Sequence, residues 1–182
     1  MRNIKENILK MKNLSELMVD LAYSALFLED ESIHKEVEEL HHDMKHMEEE
    51  TIKMLFKIRE TDEQRLVIMD LIDYIKDIAN SALRIAELSK AKELPDIVKD
   101  VLGNSDTRII VEKVSSKSTL ANKKISETRV GSYTGTRIIA IRRKNGIDCE
   151  VRGSTIIKPD DELIATGSLE AGKLLKTVSE GR

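Results

Sequence analysis

Apolar residues recur at alternating steps of three and four through the first half of the chain, and charged residues fill the positions between them. At 3.6 residues per turn, this spacing places the apolar side chains on one face of a helix. The pattern breaks at Glu29–Ser32 and again at Thr61 and Asp62, either of which can cap a new helix. Three amphipathic helices joined by tight turns are predicted, packed as an antiparallel bundle. Their stripes are Ile4, Ile8, Met11, Leu14, Met18, Leu21, Ala25 and Leu28, then Ile33, Val37, Leu40, Met44, Met47, Thr51, Met54 and Ile58, then Leu66, Met69, Ile72, Ile75, Ala79, Leu83 and Ala86.

Beyond residue 106 the pattern changes to short runs of β-branched residues between glycine-containing turns. The pair Asn145 and Gly146 is a hairpin turn signal. Ser118 and Ser168 can cap short helices that run to Ile125 and Leu175. The predicted order of elements is β-α-β-β-β-α. The four predicted strands are Arg108–Val114, Ile138–Arg143, Ile147–Val151 and Leu163–Thr166.

Composition divides the chain at the same place. All eight glycines lie at or after Gly103, as expected because helices exclude glycine and turns need it. Residues 1–91 carry 13 Lys/Arg against 20 Asp/Glu, a net charge of −7, and the remainder of the chain carries +4. We therefore predict a helical bundle at 1–91, a linker at 92–106 with one helical turn near Ile97, and an α/β domain at 107–182. The predicted fold class is α plus α/β in two domains.

The composition also excludes several classes of function. An acidic bundle in a chain with three Tyr, two Phe and no Trp lacks the phosphate-binding stripe and the stacking platform of a nucleic-acid binder. Cys149 is the only cysteine, which excludes an intrachain disulfide and fits a reducing cytoplasm. The longest apolar stretch, Leu21–Leu28, is too short to span a membrane, and the N-terminus has no signal-peptide core. No catalytic set is recognisable, so no enzyme activity is expected.

Paired carboxylates recur at i, i+4 spacing on the predicted helices. Glu39 with Asp43 and Asp73 with Asp77 each share a helix face, and the second and third helices are expected to be neighbours. Four carboxylates that face one another would repel unless they bound a divalent cation. A solvated acidic face is the alternative in a chain that is 35% charged. A metal-dependent enzyme that uses these acids is the least favoured of the functions considered.

The segment Leu71–Asn80, LIDYIKDIAN, resembles the acidic third-helix signature of the PhoU family. The acidic pair and the alanine that follows it, Ala79, match that signature. PhoU proteins generally carry two three-helix repeats, whereas residues 1–91 supply one, so a homodimer would restore the six-helix arrangement. A small α/β domain also has a limited core, and we predict dimer contacts in both halves.

Three segments of the second half resemble the TrkA C-terminal domain, the C-terminal part of regulator-of-potassium-conductance modules. Their order and spacing match that family from about Arg108 to Leu175. The resemblance implies a small-ligand pocket at a dimer interface, which binds cyclic di-AMP in some members, and a part in potassium or other cation transport. The segments are Ser118–Glu127 (STLANKKISE), Thr134–Arg143 (TGTRIIAIRR) and Pro159–Leu163 with Gly167.

Charge and strand alternation suggest where such a ligand would bind. The net charge of +4 on the second half attracts an anion. Ile138 and Ile139 alternate along a strand, so one can join the core while the other offers apolar surface to a partner subunit. Arg137 can bind a phosphate through its planar guanidinium, and Asn122 can hydrogen-bond a base or sugar. A solvated Arg137 with both isoleucines in the core is the alternative.

The expected function is that of a cytoplasmic regulatory subunit of a potassium or other cation transport system. Its expected effector is anionic and nucleotide-like, with cyclic di-AMP the first to test. Its expected partners are a second copy and a membrane transporter or channel, which would hold it at the inner face of the membrane without insertion. A PhoU-type regulator of phosphate uptake is the alternative function.

Overall fold

The computed structural model describes residues 4–91, 93–144 and 146–181, which fall into two compact units, 1–92 and 93–182. Lys92, where the expected linker begins, and Asn145 of the expected hairpin turn lie outside the described residues. Within the described ranges, no helix combines the length and apolar character needed to cross a membrane.

The first unit consists of three long helices, each beginning where the sequence pattern predicts. The carboxylate of Asp30 caps the second helix by accepting a hydrogen bond from the Ser32 amide at 2.8 Å. A capping box opens the third, because the Thr61 hydroxyl accepts from the Gln64 amide while the Gln64 side chain accepts from Thr61. The helices are α1 (Ile4–Leu28), α2 (Glu31–Leu55) and α3 (Asp62–Glu87), and a 3-10 turn follows at Leu88–Lys90.

Polar contacts between the helices show that consecutive helices run antiparallel. Asn7 Nδ2 donates to Thr51 Oγ1 at 3.3 Å, which joins the start of α1 to the end of α2. His41 Nε2 lies 2.8 Å from Asn80 Oδ1, which joins the first half of α2 to the second half of α3. Leu66 differs from the prediction, because its side chain is 60% exposed. The buried members of the predicted stripes are Met11, Met18, Leu21, Ala25, Ile33, Val37, Met44, Met47, Thr51, Ile72, Ile75, Ala79 and Ala86.

The second unit opens with α4 (Asp96–Gly103), an eight-residue helix where the sequence predicted one turn. An antiparallel four-stranded sheet of order β1-β6-β3-β4 follows, beside a two-stranded sheet of β2 and β5. The expected hairpin is present, since Arg143 pairs with Gly146. The strands are β1 (Arg108–Lys113), β2 (Lys123–Lys124), β3 (Arg137–Arg143), β4 (Gly146–Asp148), β5 (Ile156–Ile157) and β6 (Glu162–Gly167), and the helices are α5 (Ile125–Thr128), α6 (Val130–Thr134) and α7 (Leu169–Glu180).

The prediction of a helix that starts at Ser118 is wrong. The Ser118 hydroxyl accepts from the Leu120 amide at 3.1 Å and donates to the Val178 carbonyl at 2.7 Å, which makes a turn anchored to α7. The chain then pairs with β5 as β2, and α5 begins only at Ile125. A strand pairing thus satisfies the backbone where a local serine cap had predicted a helix. The other serine, Ser168, does cap α7, by accepting from the Ala171 amide at 3.2 Å.

A bulge in β3 determines which of its side chains meet the core. Ile138 pairs with Ala165 and Ala140 pairs with Ile164, so Ile139 is one extra residue in β3 at this point. Ile138 packs against the core and Ile141 is part of it. The core cluster is Val114, Leu120, Val130, Ile141, Ile157, Leu163, Ala165 and Leu175.

Candidate ligand site

The four carboxylates predicted to bind a metal lie on exposed faces of α2 and α3. Lys76, between Asp73 and Asp77 on α3, has its Nζ 2.7 Å from Oε1 of Glu48 on α2. Among the residues that the structure describes, no group of three or more His, Cys, Asp or Glu side chains could hold a metal ion. The structure therefore does not bring Glu39 and Asp43 together with Asp73 and Asp77 as a cation site.

Arg137 lies at the first position of β3, directly after a turn built from two threonines. The Thr134 and Thr136 hydroxyls are buried and lie 2.6 Å apart, and Gly135 between them has a φ of 76°. A left-handed φ is readily adopted by glycine and strained for most other residues. This turn starts β3 with the Arg137 side chain exposed, beside Thr166 of β6 in the sheet register.

The two isoleucines do not divide as predicted. Ile139 is only 2% exposed, and Ile138 is partly buried against the core. The prediction assumed strict alternation along β3, and the bulge at Ile139 breaks that alternation. In the single chain, therefore, Ile139 is buried and Ile138 keeps a partly exposed side chain.

Asn122 is exposed and has a left-handed φ of 61°. Its backbone amide donates to the Ile157 carbonyl on β5 at 2.8 Å. The neighbouring carbonyl on β5, that of Ile156, accepts from Arg143 at the far end of β3 from Arg137. Contacts thus link Asn122 with the Arg143 end of β3, whereas the sequence placed it beside Arg137.

An ion-pair network that was not predicted from the sequence lies at the end of β3. The Arg143 guanidinium donates to both carboxylate oxygens of Asp161, at 3.1 and 3.2 Å, and to Asp148 at 3.3 Å. Asp161 is buried and also accepts from the Lys158 amide at 2.8 Å. The sequence signal for this network was the acidic turn before β6, because an aspartate that becomes buried needs a cationic partner.

Arg137 lines neither of two open cavities formed by described residues of the second unit. One, of about 300 Å³, adjoins the ion-pair network and is lined by Arg143, Lys144, Lys158, Pro159, Asp160 and Asp161. The other, of about 330 Å³, is a groove between β1 and α7. Its charged lining residues are Arg108, Glu112, Lys173 and Lys176.

Basic residues of the second unit act to lower the pKa values of neighbouring carboxyl groups. A hydrogen bond from Lys113 holds the pKa of the Asp160 carboxyl below its ordinary value, and the same contact raises the pKa of Lys113. Burial raises the pKa of Glu112 in the groove, although Lys176 acts in the opposite direction. The unit thus combines a net positive charge with exposed basic side chains on β1, β3 and α7.

Comparison with known protein families matches both units in chain order. The PhoU domain family matches residues 8–89, and the TrkA-C domain family matches residues 109–177. The chain carries a PhoU domain followed by a TrkA-C domain. The PhoU match covers most of α1 and all of α2 and α3. The TrkA-C match covers both sheets except Arg108, together with α5, α6 and most of α7. Both are regulatory domains.

Similarity to solved structures is weaker. The crystal structure of the GsuK RCK domain is 20% identical, with a TM-score of 0.38, and the match covers 62% of this chain and 25% of that chain. The GsuK channel bound to NAD is 19% identical, with a TM-score of 0.39, covering 62% and 21%. S. agalactiae BusR in complex with its busA-promotor DNA is 20% identical, with a TM-score of 0.39, covering 68% of each chain. The match thus spans about a quarter or less of the GsuK chains. No curated protein matches the chain.

Proposed function

We propose that this chain is a cytoplasmic regulatory subunit of a potassium or other cation transport system. The observation that carries the proposal is the succession of a PhoU domain and a TrkA-C domain in one chain. The TrkA-C domain would sense a ligand, and the PhoU domain would contact a transporter and respond to whether the ligand is bound. Neither domain is catalytic in this account, and the chain acts only through its binding equilibria.

The proposed ligand is a small anion of nucleotide type bound to the TrkA-C domain. Support comes from the net charge of +4 outside the bundle and from the exposed guanidinium of Arg137. A guanidinium binds a phosphate with two parallel hydrogen bonds. The backbone around Ile138 and Ile139 would contact the rest of the ligand at a dimer interface. Asn122 lies toward the other end of β3 within one chain, so it would contact the ligand from the partner subunit. Cyclic di-AMP is the first ligand to test, followed by ATP.

The proposed contact with the transporter lies on the PhoU domain. Val67, Leu71, Tyr74 and Ile78 of α3 follow one another at steps of four, three and four, and their exposed fractions are 69, 46, 66 and 46%. Side chains at this spacing share one helix face. A contiguous apolar surface of this kind is typical of protein interaction sites. We refer to these four residues as the α3 apolar row.

A regulator of phosphate uptake is the second candidate, and the PhoU domain at residues 8–89 favours it. In that case the TrkA-C domain would serve to dimerise the chain. The two candidates predict different partners and different starvation phenotypes. Affinity capture of the full chain from its own cells, followed by mass spectrometry, should recover a potassium or other cation transporter. Recovery of phosphate-uptake components, with a growth defect of the deletion strain only under phosphate limitation, would favour the second candidate.

A further inference from the structure

The strand β1 is an edge of the four-stranded sheet, and its outer side meets no other strand among the described residues. It spans six residues, from Arg108 to Lys113, with no bulge in its pairing to β6. A regular edge strand presents a row of backbone donors and acceptors that another strand can bind. The open groove of about 330 Å³ beside it leaves space on the α7 side.

The backbone alternation shows which groups of β1 point outward. The Val114 amide donates inward to the Asp161 carbonyl of the neighbouring chain segment at 2.8 Å, in continuous register with the β1–β6 pairing. Amide groups alternate in direction along a strand, so the backbone groups of Ile109 and Val111 point outward. In an antiparallel pair, the outward N–H and C=O groups of one strand must face the outward N–H and C=O groups of the other. Self-pairing of β1 is therefore limited to registers that match odd-numbered residues with odd-numbered residues.

Charge selects one of these registers. With the twofold axis at Ile110, Arg108 lies opposite the partner's Glu112, and Glu112 lies opposite the partner's Arg108. The apolar pair Ile109 and Val111 also meets across the interface. A shift of the axis by one residue, to Ile109 or Val111, removes both charge pairs. Opposite charges directly across strands stabilise a sheet and like charges destabilise it.

We propose that β1 pairs antiparallel with β1 of a second copy about a twofold axis at Ile110, joining two four-stranded sheets into one. The partly buried Glu112 would then face a guanidinium, and side chains of the partner would fill the groove beside α7. Thr166 of β6 pairs with Arg137 of β3 on one side and with Ile109 of β1 on the other, so the three residues form a row across the sheet. The proposed pairing would extend this row into the second copy. Arg137 would lie two strand spacings, about 10 Å, from β1 and thus close to the interface. This interface does not depend on the ligand proposed above.

Charge exchange tests the register in the full chain by sedimentation equilibrium. Wild type is expected to be a dimer at micromolar concentration. Arg108→Glu and Glu112→Arg each place like charges opposite one another at two symmetric positions, so each should weaken the dimer at least tenfold. The double variant R108E/E112R restores both pairs and should return to within about threefold of wild type. A monomeric wild type, unaffected single variants, or a double variant as weak as the singles would each overturn the proposal.

A disulfide test reads the register without relying on charge. In a Cys149→Ala background, Ile110→Cys should form an interchain disulfide on oxidation, because residues opposite each other in a non-hydrogen-bonded pair lie about 4.5 Å apart at Cα. Ile109→Cys is the matched control, since its two copies would be about 9 Å apart and beyond disulfide reach. Circular dichroism confirms that each variant is folded. Cross-linking at Ile109 in place of Ile110 would show that the register is wrong.

Discussion

The Arg143 guanidinium binds both carboxylate oxygens of Asp161, at 3.1 and 3.2 Å, and so joins β3 to the turn that precedes β6. Asp161 is only 4% exposed, and it accepts hydrogen bonds from both the Arg143 guanidinium and the Lys158 amide. Arg143→Ala should lower the free energy of unfolding by about 2–4 kcal/mol, because it leaves a buried carboxylate without this cationic partner. Urea denaturation of the full chain, monitored for the second unit, measures the change.

Arg142→Ala is the matched control for that prediction. Arg142 lies next to Arg143 and its guanidinium contacts Glu162 at 2.8 Å, but both side chains of this pair are about a third exposed. Solvent screens such a pair, so its loss should cost about 1 kcal/mol or less. Equal losses for Arg142→Ala and Arg143→Ala would contradict the structural role given to Asp161.

The His34 side chain is buried in the bundle, and within the described residues its Nε2 has no hydrogen-bond partner. An unsatisfied buried polar atom destabilises the folded state. His34→Leu, which has a similar volume, should therefore leave the stability unchanged or raise it by about 1 kcal/mol. Thermal melting of the full chain gives the sign of this change in stability. His42→Leu, at an exposed site on the same helix, is the control, and a large loss confined to His34→Leu would refute the prediction.

The ion pair between Lys76 and Glu48 should make the bundle sensitive to high pH. The hydrogen bond that Lys76 Nζ donates to the Glu48 carboxylate raises the pKa of Lys76 above its ordinary value of 10.5. A cation with a raised folded-state pKa stabilises the fold fully below the unfolded pKa, and this contribution disappears as pH rises through the folded pKa. Wild type should lose about 0.5–1 kcal/mol more than Lys76→Met between pH 9 and pH 12, measured by urea unfolding. Identical losses would show that the pair contributes nothing.

The α3 apolar row should be required for partner binding but not for folding. Leu71→Lys with Tyr74→Lys places two charges on the row while leaving the buried residues of α3 unchanged. Exposed substitutions usually change stability by about 0.5 kcal/mol or less, so the variant should melt like wild type. Affinity capture should then recover the transporter with wild type and lose it with the variant. Glu87→Lys, an exposed change at the end of α3, is the control and should retain capture.

Sequence patterns predicted the elements whose signals are local. The three long helices follow from a repeated apolar spacing, and their starts follow from Asp30 and Thr61 as caps. The β3–β4 hairpin follows from its turn, and the order of the two domains follows from the matched segments. Each of these features is determined by residues that are close together in the chain.

Features set by distant contacts could not be predicted in the same way. Ser118 was expected to cap a helix, but its hydroxyl donates a hydrogen bond to the Val178 carbonyl of α7, sixty positions away in the chain. The bulge that buries Ile139 depends on pairing between β3 and β6, and no residue of β3 signals it. Likewise, the acidic residues of α2 and α3 have regular spacing, yet only the packed bundle shows that Lys76 of α3 pairs with Glu48 of α2.

Ligand binding by the full chain is the most direct test of the proposed function. Isothermal titration calorimetry with cyclic di-AMP and ATP should detect binding of at least one of them to wild type. Arg137→Ala should weaken that binding about 10- to 100-fold, because a charged hydrogen bond contributes about 1.5–3 kcal/mol. Arg84→Ala removes the same charge from an exposed site in the bundle and should leave binding unchanged. Unchanged binding in Arg137→Ala would refute the site alone, whereas no heat and no thermal shift at millimolar nucleotide would contradict the sensing function itself.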